Sequence, residues 1–108
     1  MKMDWIKIFE RSDTADNILL ENQPRLLLVR GKRICIVRHK GKITAVQDTC
    51  THSGESLSKG TINYLGEVVC PLHHYQFNLT TGRECSQRSN DLECFPVRED
   101  KDGVFIGI

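Results

Sequence analysis

Apolar residues in this chain recur in short runs broken every few positions by glycine, proline or clustered polar side chains. Nowhere is the i, i+3, i+4, i+7 spacing of an amphipathic helix sustained over three turns, so the pattern predicts an all-β chain. Trp5–Phe9 alternates and suits a short edge strand, and "RSDTADNILLENQP" (residues 11–24) reads as irregular up to Pro24. "RLLLVR", "RICIVRH" and "KITAVQD" follow, separated at Gly31-Lys32 and Lys40-Gly41, which predicts a three-stranded antiparallel meander. Polar and small residues dominate 48–61 and mark a long loop. "GEVVC" and "YQFNL" read as strands joined through Pro71, with a turn at Thr81-Gly82. "LECFPVRED" and "VFIGI" flank Lys101-Asp102-Gly103 as a closing hairpin.

At 108 residues the chain has room for one small domain, spanning 1–108. Fifteen basic and fourteen acidic residues leave a formal charge of +1, without the basic patch of a nucleic-acid binder. The longest apolar runs, 26–29 and 34–37, fall far short of the roughly twenty residues of a membrane span. The first ten residues carry Asp4 and Glu10 and no apolar core, unlike a secretory or transit peptide, so the expected location is cytoplasmic. In a reducing compartment an odd count of five cysteines disfavours a disulfide framework and points to metal ligation.

The candidate ligands fall on two loops. Cys50-Thr51-His52 is followed, after seventeen residues, by Cys70-Pro71-Leu72-His73-His74. Each loop offers a thiolate and an imidazole, and two such loops make a four-ligand set. A structural zinc would accept that set, although zinc sites more often pair Cys with Cys and His with His. A mononuclear catalytic metal needs an open position and usually a carboxylate. A Rieske [2Fe-2S] cluster takes two thiolates on one iron and two histidines on the other, so each loop would give one ligand to each iron.

"CTH" with "SGESLSKG" after it, and "CPLHHYQFNLTTG" further on, resemble the two cluster-binding boxes of Rieske proteins: Cys-x-His-x4-Leu-x2-Gly, then Cys-Pro-x-His with an aromatic residue and a Thr-Gly turn. The strands of "GKRICIVRHKGKITAVQDTC" and "LECFPVRED" are similar to those flanking the boxes, so the resemblance covers about residues 4–108. It is to the small freestanding ferredoxins that feed bacterial ring-hydroxylating oxygenases. The resemblance implies three small antiparallel sheets, with loops at about 48–61 and 70–77 forming a cluster-binding tip. It assigns Cys50 and Cys70 to the inner iron and His52 and His73 to the outer one. It also implies an electron carrier and no enzyme of its own, taking single electrons from a flavoprotein reductase to a terminal oxygenase by transient docking as a monomer. The competing readings are the small Rieske-type subunit of an assimilatory nitrite reductase and a structural zinc-binding module.

Departures from the family pattern sharpen the expectation. Glu55 and Leu72 stand where respiratory members carry a second pair of cysteines, so no disulfide can cross the tip. Tyr75 and Phe77 stand where high-potential members place serine and tyrosine hydroxyls, which predicts the low end of the roughly −150 to +300 mV Rieske range. His74 replaces a usual glycine, a position where histidine tolerates positive φ better than most side chains. "RECSQRSND" after Gly82 lacks the proline of the loop that covers the cluster in many members. Leu57 and Gly60 are expected to hold the first loop's shape, and Ser53, Gly54, Leu72, His74 and Tyr75 to form a largely uncharged tip. Cys35 and Cys94 read as strand-core residues, Cys85 as more exposed, and His39 as a surface residue.

Overall fold

The computed structural model describes residues 3–10 and 18–108, so the part of the irregular stretch at 11–17 lies outside the described residues. The expected meander is present as β2 (Arg25–Val29), β3 (Lys32–His39) and β4 (Lys42–Gln47). Two-residue turns join its strands, closed by the pairs Val29 with Lys32 and His39 with Lys42. Both turns carry positive φ at each central residue: Arg30 51° and Gly31 78°, Lys40 52° and Gly41 78°. This mirror-image turn matches the strand twist and prefers glycine second, which is why the first turn centres on Arg30-Gly31, one residue before the expected position.

The chain ends pair in a second sheet, ordered β1 (Trp5–Phe9), β10 (Gly103–Gly107), β9 (Val97–Asp100), with the N-terminal strand at its edge as expected. "LECFPVRED" is not one strand. It divides at Pro96 into β8 (Cys94–Phe95), which joins the meander beside β4, and β9, which joins the terminal sheet. Proline has no N–H for a ladder, so the chain changes sheet there. The third sheet is β5 (Thr61–Ile62), β6 (Glu67–Val69) and β7 (Gln76–Asn78), of which the two-residue β5 was not anticipated. Within the long loop, Leu57–Lys59 forms a single 3-10 turn.

The meander is the central layer. Residues 34–37 of β3 are buried in succession because both faces of the strand are covered. Cys35, Val37 and Val46 pack with Cys50, Leu57, Val68, Cys70, Phe77, Leu79 and Leu92, toward the third sheet and its loops. Ile36 and Ile43 face Leu19 and Val104, and Ile34 and Ala45 face Phe95 and Ile106, toward the terminal sheet. Cys35 is therefore a core thiol, as expected, whereas Cys94 lies on the edge strand β8 and is exposed, contrary to expectation. His39 is half-buried rather than superficial, its Nδ1 lying 2.7 Å from Asn22 Oδ1. Among the described residues no helix is long and apolar enough to cross a membrane.

Candidate metal centre

The four candidate ligands sit on two hairpins with the same backbone plan. In the first, Thr49 bridges Ser56, the Cys50 N–H donates to Glu55 O at 2.9 Å, and the Gly54 N–H donates to Cys50 O at 2.9 Å. In the second, Val69 pairs with Gln76, the Cys70 N–H donates to Tyr75 O at 2.8 Å, and the His74 N–H donates to Cys70 O at 3.0 Å. The residue four after each cysteine is left-handed, Gly54 at φ 76° and His74 at φ 60°. The backbone that glycine usually supplies is thus kept at His74, as the sequence suggested.

The hairpins bring their sulfurs inward and their imidazoles outward. Cys50 and Cys70 are 2% and 0% exposed and hydrogen-bond through their side chains. His52 and His73 are exposed, with ring centres 5.2 Å apart at 68°. Burial pushes the Cys70 thiol up, but donors outweigh it: the Ser53 hydroxyl, the Leu72 N–H, the Cys50 thiol and the His73 N–H hold it below the ordinary thiol value. A thiol so held is prepared to act as a thiolate ligand. Two adjoining buried sulfurs and two adjoining exposed imidazoles fit a two-iron cluster with unlike ends. Among the described residues no three Cys, His, Asp or Glu side chains converge on a single-ion position.

Asp48, which sequence reasoning missed, shapes the first hairpin. It is wholly buried, accepts the Ser56 hydroxyl and the Ser58 N–H at 2.8 Å, and lies 3.4 Å from Arg33 Nη2. An acidic residue at a strand end carries no local mark of such a role. Leu57 and Gly60 act as expected: Leu57 is fully buried, and a Cβ on Gly60 would lie 2.0 Å from Val69 O, so only glycine lets the loop approach β6. Ser53, expected as a tip residue, also places its hydroxyl 3.5 Å from Cys70 Sγ.

The proline-free segment after Gly82 reaches the first hairpin. Its neck is closed by the Leu92 N–H on Gly82 O at 2.8 Å, and Gly82, at φ 79°, has no room for a Cβ. Inside the loop the buried Glu84 carboxylate accepts the Ser86 N–H at 3.1 Å and the Arg88 N–H at 2.7 Å. Burial raises the Glu84 carboxyl, but those N–H groups, the Cys85 thiol and the Arg88 charge prevail and hold it below the usual carboxylate range. Thr51, between the two candidate ligands of the first hairpin, lies 2.6 Å from Ser89 Oγ and donates to Asn90 O at 2.6 Å. Arg88 lies 4.0 Å from the centre of the Tyr75 ring, which stacks on His52 at 3.9 Å and 7°. The tip is therefore not uncharged, and Tyr75 is half-buried while Leu72 is exposed.

Comparison with known proteins agrees with this geometry. Residues 4–96 match the Rieske [2Fe-2S] domain. The chain is 28% identical over its whole length to the ferredoxin component of the naphthalene 1,2-dioxygenase system of Pseudomonas putida, covering 99% of that protein. It is similar in structure to a chain of the complex between reduced oxygenase and oxidized ferredoxin in carbazole 1,9a-dioxygenase: TM-score 0.78, 29% identity, 94% of this chain and 91% of that one. A small subunit assigned to an NADH-dependent nitrite reductase of Mycobacterium tuberculosis shares the fold at TM-score 0.84 and 19% identity, covering 100% of this chain and 97% of the other. The domain match covers most of the sequence and both ligand boxes, and the chain belongs to the Rieske [2Fe-2S] domain family.

Proposed function

We propose that this chain is the single-domain ferredoxin component of an oxygenase system, with Cys50 and Cys70 on the inner iron of its cluster and His52 and His73 on the outer. The cluster supplies one-electron chemistry. The protein's part is to hold the buried thiolates, keep water from them, and present the two imidazoles at a surface where a partner can approach. Residues 1–108 act as one unit, cytoplasmic and monomeric, that accepts electrons from a flavoprotein reductase and delivers them to a terminal oxygenase.

The observation that supports this reading best is the pairing at the tip, with sulfurs buried together and imidazoles exposed together. A buried donor pair suits an iron kept from solvent, and an exposed pair suits brief contact with a partner, since electron-transfer encounters use small interfaces. Two thiolates and two imidazoles would hold an oxidised two-iron centre without net charge, so these ligands would favour its one-electron reduction more than four thiolates would. Phe77 offers no hydroxyl to it, so the potential belongs in the lower part of the roughly −150 to +300 mV range, with Ser53 as a partial offset.

Analysis of freshly purified protein for iron and acid-labile sulfide tests the cofactor assignment. Two of each per chain are expected, and stoichiometric zinc from iron-replete cells would overturn it. Mixing the reduced protein with a resting oxygenase of the ring-hydroxylating class tests the role. Reoxidation within the oxygenase's turnover time is expected, and absence of transfer to any such oxygenase would refute it.

A further inference from the structure

We infer that Tyr75 and Arg88 are positioning residues that clamp the His52 imidazole and favour the reduced state of the centre; this rests on the ligand assignment proposed above. The Tyr75 ring lies parallel to His52 at 3.9 Å and 7°, whereas His73 meets His52 edge-on at 68°. A parallel ring on one face restricts rotation of the imidazole about its side-chain bonds, as hydrogen-bonding partners do for other metal-bound histidines. Arg88 lies over the Tyr75 ring at 4.0 Å from its centre, an arrangement that attracts a cation to an aromatic face.

The guanidinium is therefore no more than about 8 Å from the His52 ring, within the distance over which exposed charges still act at physiological salt. It also neutralises Glu84, whose carboxylate lies 3.6 Å from Arg88 Nε and is fully buried. Removing the Arg88 charge leaves a buried anion beneath the tip, and an added electron then meets a more negative surrounding. The loop itself does not depend on that side chain. The Arg88 main-chain N–H on Glu84, the Ser86 N–H on Glu84 and the Thr51 hydroxyl on Asn90 O use no atom of the Arg88 side chain.

The test uses cluster-loaded protein with iron and sulfide counted, and reads midpoint potential at one neutral pH together with visible and paramagnetic-resonance spectra. Arg88→Gln is expected to shift the potential to more negative values with full cluster content, and Arg88→Lys to return it toward the parent. Tyr75→Phe keeps the stacked ring and is expected to match the parent. Tyr75→Ala is expected to alter the spectrum and bleach the visible bands several-fold faster. Parental potential and spectrum in both Arg88→Gln and Tyr75→Ala would overturn the inference while leaving the ligand assignment standing. A parent protein without two irons and two sulfides would instead remove the assignment on which it rests.

Discussion

The two hairpins at the tip have one backbone and two sequences. Counted from their cysteines, Thr49 to Leu57 and Val69 to Phe77 occupy matching places: the same pair of cross-hairpin hydrogen bonds, the same left-handed fourth residue, and a fully buried apolar anchor at the seventh, Leu57 or Phe77. They differ in where the histidine sits. His52 is two residues after its cysteine and His73 three, so the position of His73 in the second hairpin is that of Ser53 in the first. They also differ in what lies two residues before the cysteine, a buried Asp48 in one and a buried Val68 in the other. The comparison teaches that the hairpin geometry comes from backbone hydrogen bonds and an apolar anchor, and that the remaining positions are free to take different chemistry. The first hairpin uses them for polar ties to the rest of the chain, the second for core packing.

The comparison breaks first at the ligands. His73→Ala is expected to abolish the cluster's visible bands or change them beyond recognition, whereas His74→Gly keeps them. Retained bands in the first and lost bands in the second would reverse the assignment of the paired histidines. The next largest effect is predicted at Asp48. Its replacement by alanine strips partners from the Ser56 hydroxyl and the Ser58 N–H and leaves Arg33 without its acid, at a cost of about 3 kcal/mol in chemical unfolding. An effect under about 1 kcal/mol would show that the first hairpin stands on its backbone hydrogen bonds and apolar anchor, without help from the buried acid.

The left-handed positions give a smaller, paired test. A Cβ on Gly54 meets nothing within 4 Å, so Gly54→Ala isolates the backbone term and should destabilise by roughly 1–2 kcal/mol. His74→Gly runs the change in reverse. Relief of the same strain is offset by glycine's extra freedom in the unfolded chain, and the net gain should be under about 1 kcal/mol. Thermal unfolding of both variants reads the difference, and a destabilised His74→Gly would mean that the His74 side chain contributes more than its backbone costs.

How much of this was legible follows from the range of each signal. The meander, its glycine turns and both Cys/His boxes are written in neighbouring residues, because period-two alternation and turn chemistry are local. His74 could be read as a left-handed position because its surroundings match a box in which glycine is usual. The strand break at Pro96 was passed over because "LECFPVRED" alternates well enough on both sides, and only the partners, β4 for one half and β10 for the other, reveal two sheets. Cys94 was misplaced for the same reason, since exposure depends on β8 being an edge. Asp48, Thr51, Glu84 and Arg88 were missed because their roles arise from contacts across the fold. Thr51 meets Ser89 across 38 positions of sequence, and no spacing rule connects them.

The finest difference between the hairpins is at the third residue after each cysteine, where the second carries the proposed ligand His73 and the first a hydroxyl. Ser53 Oγ lies 3.5 Å from Cys70 Sγ, so the first hairpin reaches across to the sulfur of the second. A donor to a ligating sulfur stabilises the extra negative charge of the reduced centre more than the oxidised one, and its loss makes reduction harder. The long separation and the backbone donors from Leu72 and His73 that remain on the same sulfur limit the effect. Ser53→Ala is therefore expected to lower the midpoint potential by only tens of mV, on the order of a tenfold change in the one-electron equilibrium or less. The variant should keep its full iron content and unfold with the parent. An unchanged or higher potential would mean that the hydroxyl proton does not point at the sulfur, since the Glu55 N–H donating to Ser53 Oγ at 3.3 Å occupies only an acceptor position and leaves that proton free to turn.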